Sequence, residues 1–330
     1  DFEEKIVDNN VKLFILCSPH NPICRVWTPD ELARIGEICH RHGVKVVSDE
    51  IHCDFTWPGF THTPFLMACP DMADSTIACT APSKSFNLAG LQVSNIFVPG
   101  EALRAKVKRE MEVISYDSPN MLGAIACQAA YESGEAWLDA CKAYMRENLN
   151  YVRTFLAERL PAIKLVEPEG TYFAWLDCSG LGLNKDQLDE LIVHKAKLWL
   201  DTGSIFGESA AQFQRVVLAC PRSTVEEAMQ RLLEAVCREI EAEKPGRIVV
   251  GLALNMNGTE GPRAEACKAF AELLKAETGL PVAMWDERRT TVEAHNILSA
   301  HNYHGQKRKN TVDAVAASLI LEGYLAFRGR

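Results

Sequence analysis

A lysine and an aspartate carry the first chemical signal in this chain. Lys84 lies within Thr80-Ala81-Pro82-Ser83-Lys84-Ser85-Phe86-Asn87-Leu88-Ala89-Gly90, and Asp49 closes the apolar run Val44-Lys45-Val46-Val47-Ser48-Asp49, 35 positions earlier. A lysine amine can hold an aldehyde as a Schiff base. A strand-end carboxylate can pair with a ring nitrogen so that the ring accepts electrons. Together they suggest pyridoxal phosphate. Singly, each has a plainer reading: an aspartate at a strand end is often a turn or cap residue, and a lone lysine is a solvated charge.

Such groups need elements to position them. Lys12 to Cys17 reads as a buried strand, and Thr28-Pro29-Asp30-Glu31 supplies an N-cap, a proline at the first helical position and a capping-box glutamate. Leu32, Ile35 and Cys39 share one face of the helix expected over about 29–42, which Gly43 can end before the strand Val44 to Val47. This is a β-α-β unit, and in a parallel sheet ligands gather where strands end, here at Ser18 to Asn21 and Asp49 to His52. Further strands are expected at Ser75 to Cys79 and Val93 to Val98, with helical patterns over 101–115 and 121–159. Thr171 to Asp177 and Arg215 to Cys220 read as strands of a smaller α+β region, with a helix between them near 185–199. Tyr172 and Trp175 are expected to be core aromatics there. Ser223 and Glu226 suggest a second capping box, opening a helix that runs to about Glu243 before Lys244-Pro245-Gly246 breaks it.

Composition narrows the class. With 330 residues, 47% hydrophobic and 24% charged, the chain is neither disordered nor fibrous and is long enough for two or more domains. No long uncharged apolar run appears, so the expectation is a cytoplasmic protein without membrane contact. The 12 cysteines are scattered without a C-x-x-C pair and read as small hydrophobes, and His301 and His304 lack cysteines at metal-ligand spacing. The net charge of −9 is uneven: residues 244–330 hold 12 basic and 9 acidic residues, whereas the first 243 hold 23 and 35. An acidic body joined to a mildly basic tail suggests two modules with different partners.

The segments Ser18-Pro19-His20-Asn21-Pro22-Ile23-Cys24-Arg25-Val26-Trp27-Thr28, Ser48-Asp49-Glu50-Ile51-His52, the Lys84 stretch and Ala219-Cys220-Pro221-Arg222 occur in the order found in fold-type I pyridoxal-phosphate enzymes. Residues 1–243 most closely resemble the MalY/PatB branch of the class I/II aminotransferase family, which are cystathionine β-lyase-type carbon–sulfur lyases. The resemblance implies that Lys84 is the Schiff-base lysine and proton shuttle, that Asp49 pairs with the ring nitrogen, and that Asn21 bonds the phenolic oxygen. His52, at a position that often carries tyrosine, is implied as a further cofactor-binding residue. Ser83 and Thr80 are implied as phosphate contacts, and Arg222 as the fork for the substrate α-carboxylate. The implied reaction is β-elimination from a small amino acid such as cystathionine, releasing pyruvate, ammonia and a thiol. Transamination on the same scaffold is the alternative, and family members are usually homodimers.

This sequence departs from the family pattern. Cys24 stands where glycine is usual, so a positive φ there would be strained and could shift Asn21. Val216-Val217 stand where a polar residue is common. The segment that precedes Asp1 in the family, with its glycine-containing phosphate cradle and cofactor-stacking aromatic, is expected to be missing.

Val249-Val250-Gly251-Leu252-Ala253-Leu254-Asn255-Met256-Asn257-Gly258-Thr259-Glu260-Gly261, Trp285-Asp286-Glu287-Arg288-Arg289-Thr290-Thr291 and Asp313 to Leu321 have no counterpart in that family. They resemble the YqgF/RuvX family of Holliday-junction-resolvase-like proteins implicated in ribosomal RNA precursor processing. The resemblance implies a ribonuclease-H-like fold in which Asp286, Glu287 and Asp313 bind divalent magnesium or manganese, while Arg288, Lys307, Arg308 and Lys309 contact nucleic-acid phosphates. Thr290 and Glu293 would cap the helix after the Asp286 strand. Arg289 replaces a usual leucine and Ala253 a usual proline. The family's first strand, with its Asp-x-Gly carboxylate, is not found, which predicts little hydrolysis from this stretch alone.

The expected fold is therefore α/β throughout. A partial fold-type I large domain with its connecting helices occupies 1–160, an α+β small domain 161–243, and a partial ribonuclease-H-like unit 244–330. The functional alternatives are a lyase fused to a nuclease, an aminotransferase, a nucleic-acid-binding module, and an inactive fusion of two gene fragments.

Overall fold

The computed structural model of the protein describes residues 1–116, 118–242, 246–255, 257–287 and 305–328. They divide into two compact units, the first comprising Asp1–Arg146 with Glu167–Phe173, the second Glu147–Val166 with Ala174–Arg330.

The first unit is built on the four-stranded sheet β1 (Leu13–Cys17), β2 (Lys45–Asp49), β3 (Thr76–Thr80) and β4 (Asn95–Phe97), in that spatial order. The first three strands are parallel and β4 runs antiparallel along β3. The helix α1 (Phe2–Asp8) precedes β1, and α2 (Pro29–Arg41) makes the crossover to β2. Both halves of the capping box are formed at α2: the Thr28 side chain accepts from the Glu31 N–H, and Glu31 accepts from the Thr28 N–H. Leu32, Ile38 and Cys39 then face Leu16, Val46, Phe65 and Met72 in one buried cluster. Full burial of a leucine such as Leu32 contributes about 1.5–3 kcal/mol, so this packing, rather than local propensity, holds α2 on the sheet. The short helices α3 (Phe65–Ala68) and α4 (Pro82–Ser85) follow β2 and β3. After them come α5 (Glu101–Val113) and α6 (Met121–Ser133).

One helix was expected over 121–159, but the chain is interrupted at Gly134, and α7 (Glu135–Arg159) begins anew. Glycine is the weakest ordinary helix former, and the Phe86 ring occupies the space that a side chain at Gly134 would need.

The second unit contains the strands β5 (Lys164–Val166), β6 (Phe173–Asp177, entered from the first unit at Phe173), β7 (Asp201–Thr202) and β8 (Phe213–Val217), ordered β5-β6-β8-β7, with β5 antiparallel to β6 and β7 antiparallel to β8. Trp175 is buried and stacks on Phe213 with ring centroids 5.2 Å apart, as a core aromatic should. The helix expected near 185–199 is shorter. The turn α8 (Lys185–Asp189) passes into a π-helical turn over Glu190–Lys195, where the Ala196 N–H reaches back to the Leu191 carbonyl, and Lys197 at φ 56° ends it. The helix α9 (Arg222–Ala242) starts at Arg222, so Ser223 falls inside its first turn rather than at the cap that its spacing to Glu226 suggested.

The remaining elements are β9 (Ile248–Leu252), α10 (Pro262–Thr278), β10 (Val282–Asp286) and α11 (Gly305–Arg328). The strands β9 and β10 are parallel, joined through α10, and α11 lies against both. Gly251 permits that approach: a Cβ there would collide with Glu287 Oε2 and lie 3.0 Å from Ile320 Cδ1. The glutamate tip can move but the isoleucine is held on α11, so Gly251→Ala is expected to displace the Glu287 carboxylate and cost about 1–2 kcal/mol, measurable by urea denaturation. No helix among the described residues is long and apolar enough to cross a membrane.

Candidate active site

The parallel register gathers the first set of chemical groups. Cys17 pairs with Asp49, and Asp49 pairs with Cys79, so the three strands end level with one another. Their continuations are also stitched together: the Ser18 N–H donates to the Asp49 carbonyl at 2.9 Å and the Glu50 N–H to the Cys79 carbonyl at 2.9 Å. Asn21 lies four residues beyond β1, Asp49 is the last residue of β2, and Lys84 lies four residues beyond β3 on α4. All three thus belong to the carboxyl edge of one sheet, where α/β folds bind ligands.

Each is positioned locally. Asp49 is half-buried and one of its carboxylate oxygens accepts from the Ile51 N–H at 3.2 Å. In-register neighbours project to the same face of a sheet, so Asp49 is flanked by the thiols of Cys17 and Cys79. Burial pushes both thiols above their usual range and the Asp49 charge adds to the effect. They remain neutral beside the carboxylate. The Asn21 N–H donates to Cys17 Sγ at 3.5 Å, which folds the chain back after β1. Lys84 is exposed, Ser83 is half-buried, and the Thr80 hydroxyl accepts from Asn95 Nδ2 at 3.4 Å. Ser85, one residue beyond the lysine, is buried and donates to Asp54. His52 is 3% exposed, with its ring edge-on to Tyr172 at 5.4 Å and Phe173 at 5.7 Å, which builds it into an aromatic cluster of the first unit.

The turn after β1 carries the strain anticipated from the cysteine. Cys24 is fully buried at φ 62°, its N–H bonded to the His20 carbonyl and its thiol donating to the Pro22 carbonyl at 3.1 Å. A left-handed conformation costs a non-glycine residue about 1–2 kcal/mol. Losing the buried thiol costs about as much, and glycine adds unfolded-chain entropy. Cys24→Gly should therefore change stability by less than about 1 kcal/mol, while Cys24→Ala, which keeps the strain and loses the sulfur, should destabilise by about 1–2 kcal/mol. Chemical denaturation checks this ordering, in which glycine is better tolerated than alanine.

Sequence reasoning passed over a buried network next to Asp49. Glu50 is 3% exposed and accepts from Ser48 Oγ at 2.8 Å and the Phe65 N–H at 3.0 Å, with His62 Nε2 at 2.9 Å. Burial opposes its ionisation, but the hydrogen bonds from His62, the Phe65 N–H and Ser48 outweigh that and hold the carboxyl below its usual range. The signal was available as an acid immediately after an apolar strand.

Arg222 belongs to the second unit. Its Nε donates to Asn148 Oδ1 at 2.8 Å and its guanidinium lies over the Tyr151 ring at 5.3 Å. Asp286 and Glu287 also belong there, at the carboxyl end of β10, where Asp286 pairs with Leu252 and the Glu287 N–H donates to the Leu252 carbonyl at 3.2 Å. Asp313, Lys307, Arg308 and Lys309 fall on α11 in the stretch whose side chains lie outside the described residues. Arg288, Thr290 and Glu293 also lie outside them.

Residues 1–232 match the model of the family described as aminotransferase class I and II. The chain belongs to the class I and II aminotransferase family. This aminotransferase-family chain is 39% identical over 236 residues to the cystathionine beta-lyase PatB of Bacillus subtilis, covering 72% of this chain and 61% of that protein. Among solved structures it resembles the pyridoxal-5'-phosphate-containing cystalysin of Treponema denticola, with 37% identity and a TM-score of 0.70 over 72% of this chain and 61% of that one. It thus spans about three-fifths of the length of these relatives. Residues 197–326 match the model of the RuvX Holliday junction resolvase family. A candidate pre-16S rRNA nuclease of Clostridioides difficile is 48% identical over 96 residues, covering 29% of this chain and 66% of that protein. An aminotransferase-family region is therefore joined to a RuvX-type domain.

The groups at the carboxyl edge suit the pyridoxal phosphate that the family resemblance implies. A half-buried carboxylate, an amide, two hydroxyls and an exposed primary amine lie on one edge, and the buried Ser18 hydroxyl at the same edge has no hydrogen-bond partner among the described residues.

Proposed function

We propose that residues 1–243 form a pyridoxal-phosphate-dependent carbon–sulfur β-lyase region. The observation that carries this reading is the level ending of β1, β2 and β3, which puts Asn21, Asp49 and Lys84 on one edge. When bound, pyridoxal phosphate supplies the electron sink for negative charge at the substrate α-carbon. The Lys84 amine would hold the cofactor aldehyde and, when free, would serve as the base for the α-proton. Asp49 would pair with the ring nitrogen, and the neutral thiols on either side would not compete for its charge. The Asn21 amide would donate to the phenolic oxygen, Ser83 and Thr80 would contact the phosphate, and His52 would lie at the cofactor position that often carries tyrosine. Arg222 holds the substrate α-carboxylate. For a substrate with a sulfur substituent on the β-carbon, the chemistry supplied would be β-elimination, with a thiol, pyruvate and ammonia as the products after hydrolysis. Cystathionine is the substrate this chemistry favours. A homodimer is the expected assembly and the cytoplasm the expected compartment.

The test is to add pyridoxal phosphate to the purified protein and follow a visible absorbance band, then pyruvate release from cystathionine. A band with pyruvate and free thiol supports the lyase. Amino-group transfer to an added 2-oxo acid supports the aminotransferase instead, and absence of any band rejects both, leaving an inactive fusion.

A second reading concerns the carboxyl end of β10. We propose that Asp286 and Glu287, with Asp313 from α11, bind divalent magnesium or manganese, and that Arg288, Lys307, Arg308 and Lys309 contact precursor RNA or branched DNA. The adjacency of two acids at a parallel strand end supports it. Metal-dependent cleavage lost in Asp286→Asn would bear this out, and binding without cleavage would reduce it to a nucleic-acid-binding module. We propose that the join lies inside the helix ending near Glu243, a reading supported by the completion of the β5 to β8 sheet by Val217 and by the pairing of β9 with β10.

A further inference from the structure

We propose that Tyr172 is the positioning residue for His52, fixing the plane of its imidazole for the cofactor. This rests on the reading of His52 as a cofactor-binding residue. Sequence spacing puts Tyr172 among the core aromatics of the smaller α+β region, whereas the structure assigns the segment Glu167–Phe173 to the first unit. Backbone bonds tie that segment to the loops leaving β1 and β2. The Glu169 N–H donates to the Cys24 carbonyl at 2.8 Å, the Thr171 N–H to the Phe55 carbonyl at 2.8 Å, and the Trp57 N–H to the Glu169 carbonyl at 3.0 Å. At the crossing, a Cβ on Gly170 would stand 2.6 Å from the Phe55 carbonyl oxygen, so only glycine allows so close an approach.

Thr171 then turns the chain. It is fully buried at φ 65°, a left-handed conformation that β-branched residues rarely adopt. Strain of this kind persists only where the surrounding contacts over-determine it, and here its result is to set the next side chain against His52. The Tyr172 ring meets the imidazole edge-on, with centroids 5.4 Å apart and planes at 68°, and is itself braced edge-on by Phe55 at 5.0 Å. Phe173 adds a second edge contact to the imidazole at 5.7 Å. The Phe55 N–H also donates to the His52 carbonyl at 2.9 Å, so the loop that braces Tyr172 holds the His52 backbone as well. An imidazole otherwise turns about two single bonds, and edge-to-face contacts favour one setting of its plane. That plane decides what the ring can reach, because a hydrogen bond to a ring nitrogen forms only near the line along which it points.

The role predicts a loss that depends on His52. Titrating the purified protein with pyridoxal phosphate and following the cofactor absorbance gives its dissociation constant. Tyr172→Leu and Tyr172→Met, which fill the space without a ring, should raise that constant by about 3- to 10-fold, the range for an edge-to-face aromatic contact. Two such variants guard against one that fails to fold, as judged by its melting transition. Tyr172→Phe, which keeps the ring, should bind the cofactor as the parent does. With His52→Ala already in place, the ring-deleting change should have no further effect, because the partner through which it acts is gone. An equal loss with and without His52 overturns the proposal, as does an unchanged constant in a folded variant without the ring. A loss in Tyr172→Phe as large as in Tyr172→Leu assigns the effect to the hydroxyl and also overturns it. If His52→Ala alone leaves the constant unchanged, the reading of His52 is what fails, and a protein without the band rejects the lyase reading on which both rest.

Discussion

Lys84→Ala is expected to abolish the cofactor absorbance band and to reduce pyruvate release from cystathionine by about three orders of magnitude or more. Proton transfer by a positioned side chain alone contributes about 10²–10⁴-fold, and Lys84 is assigned both that step and covalent capture of the aldehyde. The residue sits exposed on α4 at the carboxyl edge, so its removal disturbs little packing. The neighbouring Ser85 is buried and bonded to Asp54, which holds α4 in place without the lysine. Thermal stability of the variant without cofactor should therefore match that of the parent. Retained activity would remove Lys84 from the mechanism, whereas lost activity accompanied by unfolding would not test its chemistry.

Glu50→Ala should have the largest effect on stability, about 3–5 kcal/mol, because it removes one member of a buried, hydrogen-bonded set and leaves the others unpaired. Ser48 Oγ, the Phe65 N–H and His62 Nε2 all converge on this carboxylate. Its ionisation gives the effect a pH signature. The folded-state value lies below the usual 4.5, so the unfolded chain binds the proton more readily than the folded one. The contribution is thus fully present above about 4.5 and is lost as pH falls through the lower folded value. Urea denaturation from neutral to acid pH should show the difference between the parent and Glu50→Gln shrinking on acidification. A difference that stayed constant would mean that the carboxylate is not held ionised. Because Asp49 is the preceding residue, Glu50→Gln should also weaken cofactor binding more than a distant change of equal stability cost.

Much of the fold was legible because its signals are local. Thr28, Pro29 and Glu31 announce the start of α2 through atoms no more than four residues apart, and the apolar face of α2 follows from helical spacing. The apolar run from Val44 to Val47 likewise identifies β2. Where local pattern met a tertiary constraint, the reading slipped. Gly134 divides an otherwise continuous helical pattern, the turn after α8 widens to π geometry, and Ser223 is taken into the first turn of α9. At the site, Lys84, Asp49 and Asn21 were legible as chemical types in order. Glu50 and Asn148 were passed over, although each is a polar residue at an apolar position, which is the trace such groups leave in sequence.

What the sequence by itself determined is the inventory: a lysine, acids, an amide and arginines of the right chemistry, placed at element ends by short-range periodicity and capping. Functional groups and local hydrogen bonds are properties of a residue and its near neighbours. Only the tertiary structure decided which groups meet. It set Cys17 and Cys79 beside Asp49 through strand register, held Cys24 in a left-handed turn, and brought Asn148 to Arg222 across 74 residues of chain. Those pairings depend on long-range packing, which excludes water and rewards contacts that no local propensity encodes.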